Sequence, residues 1–296
     1  MSARKNRYTD LDSVEESIVL TTLQSYYQMR VHKIHKFKPK VELNLEVGPF
    51  ILKTVTDTQE LKEALTLRYQ VFHREMLGKK NFGIDVDDYD FDCDHLVIKD
   101  KRNAKIIGTY RLRSSLHTNN FYSANEFELT TLLQQPGIKL ELGRACIDKE
   151  YRRGAVISML WRGIAEYMAA TDAKILFGCA TVMTENPAEA ALLTKYFEEE
   201  GRVALAFRAR PTLSCTMPQY REFKDQLENA LSETQREQAE ALMPPLCRAY
   251  LKIGAYLGGE PAWDRDFSCI DFLTILHRED LNRTLWKRFK MDSAES

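Results

Sequence analysis

The segment richest in chemistry-bearing side chains is an acidic run that places six aspartates within residues 85–94. Carboxylates packed this closely repel one another unless a cation or solvent separates them. An EF-hand calcium loop beginning at Asp85 would need glycine at its sixth position and glutamate at its twelfth, where this chain has Asp90 and Leu96. No metal site is therefore predicted, and two interpretations stay open: a solvated acidic loop, or a subsite for a cationic substrate.

A second candidate site is a strand that runs through a basic turn into a helix. Glu141 and Arg144 lie three positions apart on the strand, so they face opposite sides unless a bulge intervenes. They could form a structural ion pair or serve the chemistry. Arg152, Arg153 and Gly154 make the turn, where the N–H groups and positive end of the following helix favour an anion such as a phosphate.

The elements that must position these residues alternate between strands and helices. Strands are predicted at 50–55, 95–99, 105–114, 139–147, 174–182 and 269–276, and helices at 58–76, 155–170, 186–201, 219–241 and 246–257. The neighbouring strands within 95–114 should be antiparallel, whereas the strand–helix–strand unit of 139–182 is a parallel crossover. The predicted fold class is α/β, as an α+β mixed sheet with helices on both sides.

The chain is predicted to hold an N-terminal helical basic arm at 1–45 and a single domain at 46–296 with a helical insertion at about 219–257. Apolar residues at helical spacing predict that 10–38 is a helix. The C-terminal end of this helix, at residues 30–40, is rich in basic residues, including Lys33, Lys36 and Lys38. Such a face is either simply solvated or docks an anionic protein or lipid surface.

Composition excludes several classes of protein. The 296 residues carry 42 Lys plus Arg against 43 Asp plus Glu, a net charge of -1, so a broadly cationic nucleic-acid binder is disfavoured and no nucleic-acid partner is expected. Six widely spaced cysteines offer no C-x-x-C pair and favour a reduced compartment. With no secretory signal and no spanning apolar run, we expect a cytoplasmic protein that could contact the inner face of the membrane.

The strand, the turn at 151–154 and the helix after it resemble the acyl-thioester-binding motif of GNAT acyltransferases. The resemblance implies a GNAT-like N-acyltransferase fold with Arg152, Arg153 and Gly154 at the phosphate of phosphopantetheine. The family's glycine-rich form is replaced here by Ala155 and Val156, which leans toward acyl carrier protein as the donor rather than coenzyme A. An acyltransferase of this type would need a V-shaped cleft in the sheet that joins the turn to Asp87 and Glu141.

More specifically, segments at 67–72, 87–96, 108–112, 141–144, 244–255 and 259–267 resemble the ornithine–acyl-carrier-protein N-acyltransferases, the lyso-ornithine lipid synthases. A thinner resemblance over about 65–150 is to acyl-homoserine-lactone synthases. The first resemblance implies transfer of a (3-hydroxy)fatty acyl group from acyl carrier protein to the α-amine of ornithine, with the acyl-carrier thioester as a substrate and no permanently bound cofactor. The alternatives are lactone-signal synthesis and a non-enzymatic, haemolysin-like membrane-surface protein.

The resemblance also implies roles for particular residues. Glu141 would orient the amine or accept its proton, with Arg144 beside it as the second catalytic candidate. An oxyanion could be held by backbone N–H groups near residues 145–147, and Cys93 and Cys146 would then be core residues. The candidate substrate-binding residues are Arg68, Phe72, Asp85, Asp87, Asp90 and Arg111.

Overall fold

The computed structural model describes residues 33–281 apart from residues 35, 153, 205, 206 and 228. Its strands form one mixed sheet with the order β1-β2-β3-β4-β5-β6-β9-β7, and β8 also pairs with β9. The strands are β1 (Asn44–Val47), β2 (Phe50–Thr54), β3 (Asp94–Asp100), β4 (Ile106–Ser114), β5 (Ile138–Ile147), β6 (Ala173–Val182), β7 (Tyr256–Leu257), β8 (Ala262–Asp264) and β9 (Cys269–His277).

Seven α-helices are described. They are α1 (Thr58–Arg68), α2 (Thr130–Leu133), α3 (Ala155–Thr171), α4 (Pro187–Glu199), α5 (Tyr220–Asp225), α6 (Glu233–Leu242) and α7 (Pro245–Lys252). Helix α1 begins at Asp57, whose side chain accepts a hydrogen bond from the Glu60 N–H. It continues without a break into a π-helix at Tyr69–Met76, so the helix predicted at 58–76 is confirmed but its second half is wound more loosely.

The sheet topology confirms the mixed sheet predicted from the sequence. Strands β1 to β5 pair antiparallel in order, and β5 pairs parallel to β6 after the crossover through α3. Strand β9 then returns antiparallel to β6. Helices cover both faces: Val97 of β3 packs in the cluster that contains α1, whereas its neighbours Leu96 and Ile98 pack against α3. This alternation follows from the two-residue period of a strand.

The C-terminal insertion differs from the sequence prediction. The single helix predicted at 219–241 is two helices, α5 and α6, and the second begins at Ser232 with a reciprocal capping box to Gln235. The helix predicted at 246–257 ends at Lys252. Gly254 then adopts a φ of 107°, and the chain turns into β7.

The predicted basic arm is described only from residue 33 onward, apart from residue 35. Ile34 and Phe37 are buried in the cluster with α1, so this part of the arm packs on the domain. The predicted domain boundary at residue 45 falls within β1, and the folded sheet therefore begins before it. Among the described residues, no helix is both long and apolar enough to cross a membrane.

Candidate active site

The sheet opens where its two parallel strands separate. Registered pairs between β5 and β6 run from Ile138 opposite Ala173 to Glu141 opposite Phe177. Beyond that point β5 continues beside β4 as far as Ile147, while β6 continues beside β9 as far as Val182. At the apex, a Cβ on Gly178 would lie 2.1 Å from the Leu142 carbonyl oxygen, so only glycine allows this approach. The structure thus contains the V-shaped cleft that an acyltransferase needs.

A β-bulge brings two predicted catalytic residues to this cleft. Between Thr109 and Arg111 of β4 the register with β5 shifts, because Thr109 pairs with Cys146 and Arg111 with Gly143. Arg144 lies inside the bulge with a φ of 53°, an uncommon value for a residue other than glycine. As a result Glu141 and Arg144 line the same cavity, although regular strand geometry would place them on opposite faces.

The cavity at the cleft has a volume of about 250 Å³. Phe72 and Met76 reach it from the π-helix, and Tyr250 reaches it from α7. π-Helical segments are rare and recur at functional sites because they redirect side chains. The rest of the wall combines apolar residues such as Leu142 and Leu246 with Arg111 and a set of acidic residues described below.

The acidic run folds back onto buried arginines. Arg68 is 0% exposed, and its guanidinium lies 2.6 Å from a carboxylate oxygen of Asp85 and 2.6 Å from one of Asp90. Although burial disfavours the charged carboxylate, Arg68 and Arg111 hold the pKa of Asp90 well below its usual range. This part of the run is therefore a neutralised internal network.

Asp87 completes the network on the cavity side. Arg111 Nη1 donates to Asp87 at 2.6 Å and to Asp90 at 3.0 Å, and Arg144 Nη2 donates to Asp87 at 3.2 Å. The Arg144 guanidinium also lies over the Tyr122 ring, 5.1 Å from its centroid. The network therefore contains three arginines and three aspartates: Arg68, Arg111 and Arg144 with Asp85, Asp87 and Asp90. Arg144 Nε has no hydrogen-bond partner among the described residues.

Glu141 is held by backbone donors rather than by a cation. Its Oε1 accepts from the Ser123 N–H at 2.7 Å and its Oε2 from the Tyr122 N–H at 2.9 Å. No salt bridge joins it to Arg144 among the residues that the structure describes. Each carboxylate oxygen can accept a second hydrogen bond, so the fixed carboxylate can orient an amine in the cavity and receive its proton. The alternative of a structural ion pair with Arg144 is wrong.

A separate acidic group lies at the same cavity and consists of Glu126, Asp264 and Asp271. Glu126 and Asp271 are only 5% and 3% exposed. Burial, together with the neighbouring Asp271 carboxylate, raises the pKa of Glu126 to about 8. Burial also raises the pKa of Asp271 to about 6, despite the hydrogen bond that Thr181 donates to it at 2.7 Å. In the described part of the chain no arginine, lysine or histidine forms a salt bridge with these three residues.

The turn before α3 has the backbone expected of an anion site, but the Arg152 side chain there already makes hydrogen bonds within the protein. Gly154 adopts a φ of 94° at the start of the helix, which explains why glycine occupies that position. Arg152 donates from Nε to the Ile147 carbonyl at 2.9 Å and from Nη2 to Glu75 at 2.7 Å. A phosphate at this turn would compete with Glu75 for that guanidinium. Arg153 lies outside the described residues.

Comparisons with known proteins agree with this geometry. The sequence model of the family described as "Acetyltransferase (GNAT) domain" matches residues 67–162. An L-ornithine N(alpha)-acyltransferase of Rhizobium meliloti (strain 1021) is 33% identical over 236 residues, which cover 73% of this chain and 76% of that protein. The chain belongs to this acyltransferase family. The prediction of a GNAT-like acyltransferase is therefore confirmed.

Two further proteins are similar to this acyltransferase. The L-ornithine N(alpha)-acyltransferase of Brucella abortus (strain 2308) is 29% identical over 251 residues, which cover 80% of this chain and 87% of that protein. The solved structure of FeeM, an N-acyl amino acid synthase from uncultured soil microbes, is 8% identical, covers 80% of this chain and 96% of that chain, and has a TM-score of 0.44.

The structure corrects part of the predicted substrate site of the acyltransferase. Arg68 is fully buried, and the carboxylates of Asp85 and Asp90 are occupied by arginines, so these three residues do not form an open subsite. Asp87 is likewise paired with Arg111 and Arg144. Asp85, Asp87 and Asp90 therefore do not form an open cation subsite, whereas Asp88 and Asp92 of the same run are exposed.

Other predictions keep their place at the cavity. Phe72, Arg111, Glu141 and Arg144 all line it. Cys93 and Cys146 are buried core residues as expected, and burial raises the pKa of Cys93 to about 11 and that of Cys146 to about 12. Neither is poised as a nucleophile.

The acidic group was missed because its members are isolated in the sequence. Glu126 lies in a short turn segment, whereas Asp264 and Asp271 lie on β8 and β9. The one available signal was that Asp264 falls within the segment 259–267, which carries part of the family resemblance.

Proposed function

We propose that this acyltransferase moves a (3-hydroxy)fatty acyl group from acyl carrier protein to the α-amine of ornithine and so makes a lyso-ornithine lipid. The observation that carries the proposal is the cavity at the separated strands, which brings a fixed carboxylate, an arginine and further acids together. These groups match the amine, carboxylate and second ammonium of a diamino acid. The relatives named for ornithine Nα-acylation support the same acceptor.

The reaction requires little acid–base catalysis by the protein. A thioester is already activated, so the neutral amine attacks the carbonyl carbon, a C–N bond forms, the C–S bond breaks and the thiol leaves with a proton. An α-amine with a pKa of about 8 needs about 1.4 kcal/mol to be neutral at pH 7, whereas a lysine-like side-chain amine at about 10.4 needs about 4–5 kcal/mol. Attack by the α-amine is therefore favoured before the site adds any selectivity.

The cavity residues divide these tasks. Glu141, fixed by the two backbone N–H groups, orients the α-ammonium and accepts its proton. Arg144, which lines the cavity and whose Nε has no hydrogen-bond partner among the described residues, binds the α-carboxylate of the acceptor. The bulged strand at 145–147, paired with β4 alone, supplies N–H groups for the oxyanion.

The donor is proposed to be the acyl thioester of acyl carrier protein, docked on the basic residues Lys33, Lys36 and Lys38. All three are exposed, and an acidic carrier protein would be attracted to them at low salt. Because an amphiphilic product partitions into lipid, we place the enzyme in the cytoplasm at the inner face of the membrane.

The test uses the full chain with ornithine and either an acyl carrier thioester or the matching acyl-coenzyme A. Mass spectrometry with fragmentation should show an amide on the α-nitrogen. Reversing the charge of Lys33, Lys36 and Lys38 to Glu should lower kcat/KM with the carrier thioester at least about 10-fold and leave the coenzyme A reaction nearly unchanged.

Three results would contradict the proposal. No acylated amino acid at all would leave the membrane-surface alternative, and an acyl-homoserine lactone would indicate signal synthesis. Equal losses with both donors in the charge-reversed variant would mean that the carrier protein docks elsewhere.

A further inference from the structure

We infer that Glu126, Asp264 and Asp271 form a subsite for the side-chain ammonium of the acceptor, and so select a diamino acid over a neutral amino acid. This inference rests on the proposed function and adds the residues that set its specificity. It moves the cation subsite from the acidic run, where the sequence suggested it, to the opposite wall of the cleft.

The subsite lies next to the carboxylate proposed to accept the proton. Ser123 donates its N–H to Glu141, and the Cys179 thiol donates to the Ser123 hydroxyl at 3.5 Å. The same thiol interacts electrostatically with both Glu126 and Asp271. An amino acid whose α-amine contacts Glu141 would therefore extend its side chain along Cys179 toward the acidic group.

The acidic group also has no salt-bridge partner among the described residues. Glu126 Oε2 is buried and has no hydrogen-bond partner among the described residues, although its residue lines the cavity. Ionising a buried carboxyl that has no cation beside it is costly, and an ammonium is the complement that would offset that cost. Asp85, Asp87 and Asp90 differ, because each already has an arginine nitrogen at 2.6 Å.

A metal ion is the main competing occupant. Ligand atoms of Asp264, Cys269 and Asp271 lie within 4.8 Å of one another. However, burial raises the pKa of the Cys269 thiol strongly, whereas metal binding needs the thiolate. The unpartnered atom belongs to Glu126, which is not in that set. Both observations favour an organic ammonium.

The decisive experiment compares ornithine with norvaline, which has the same carbon chain and no terminal amine. The wild-type enzyme should prefer ornithine over norvaline by at least about 10-fold in kcat/KM, and Glu126→Gln or Asp271→Asn should reduce that preference about 10- to 100-fold. Glu128→Gln is the matched control, because Glu128 is exposed and only two residues away.

Each other outcome overturns the inference. If wild-type enzyme acylates norvaline as well as ornithine, no ammonium subsite exists, and this result does not depend on the folding of any variant. If both variants keep the ornithine preference, the subsite lies elsewhere. If elemental analysis of the purified enzyme finds a stoichiometric metal that Asp271→Asn removes, the group is a metal centre. Loss of the proposed function is distinguishable, because then neither amino acid is acylated.

Discussion

Replacing the buried carboxyl of Glu126 should stabilise the ligand-free protein, and it should do so in a pH-dependent way. Glu126→Gln keeps the size of the side chain and removes its charge. The wild-type carboxyl sits beside Asp271 without a cation, so ionising it in the folded state is unfavourable. The amide cannot ionise and escapes that cost.

The magnitude follows from the pKa difference between the folded and unfolded chain. An unfolded glutamate ionises near its ordinary pKa of 4.5, whereas burial and Asp271 raise the folded pKa of Glu126 to about 8. Between these values the folded state binds more protons, so the free energy of unfolding falls as pH rises. Each pH unit costs about 1.4 kcal/mol, which comes to about 3 kcal/mol at pH 7.

The assay is urea unfolding of wild type, Glu126→Gln and the exposed control Glu128→Gln at pH 4.5 and pH 7. Packing differences are the same at both pH values, so they cancel when the two are subtracted. We expect Glu126→Gln to gain about 2–4 kcal/mol relative to wild type between pH 4.5 and pH 7, and Glu128→Gln to gain less than about 0.5 kcal/mol. An equal effect of Glu126→Gln at both pH values would refute the reasoning.

Three further variants test the frame of the site. Asp90→Asn should lower the free energy of unfolding by about 3–5 kcal/mol, because it removes the carboxylate that the buried Arg68 and Arg111 share. Asp92→Asn, at an exposed position of the same run, should change it by less than about 0.5 kcal/mol, and urea unfolding measures both. Gly178→Ala should lower the Tm in a thermal melt, since its Cβ would clash with the Leu142 carbonyl. Glu141→Gln should lower the free energy of unfolding by about 1–3 kcal/mol, because it removes the acceptor of one backbone N–H. In steady-state assays of the folded variant, kcat should fall by a larger factor than KM changes.

Most of the sheet could be predicted because its strands carry local signals. The alternation in β3 and β4 and the strand–helix–strand unit around α3 predict both element type and direction. The π-helix at Tyr69–Met76 could not be foreseen, since an extra residue in one turn leaves the helical hydrophobic pattern nearly unchanged. The position of β9 next to β6 is likewise set by long-range pairing.

Candidate site residues could be chosen from the sequence where one segment contains both the residue and the structure that positions it. The segment 141–154 shows the strand, the turn and the helix together, so Glu141 and Arg144 could be chosen, and the bulge was stated as the condition for their meeting. The role of the acidic run was misjudged because its partners are distant: Arg68 comes from α1, Arg111 from β4 and Arg144 from β5. A count of charges in one segment says nothing of the charges that other elements bring to it.

The segment densest in acidic residues and the acids that lack a salt bridge in the fold are therefore different groups. Six aspartates lie within residues 85–94, yet Asp85, Asp87 and Asp90 are paired with arginines that come from α1, β4 and β5. Glu126 and Asp271 are buried and form no salt bridge in the described part of the chain, and burial raises the pKa of each, so ionising them in the folded state is unfavourable. An ammonium offsets the cost of ionising these acids only while it is bound. Glu126 and Asp271, rather than the aspartates already paired with arginines, are therefore the group able to distinguish one acceptor from another.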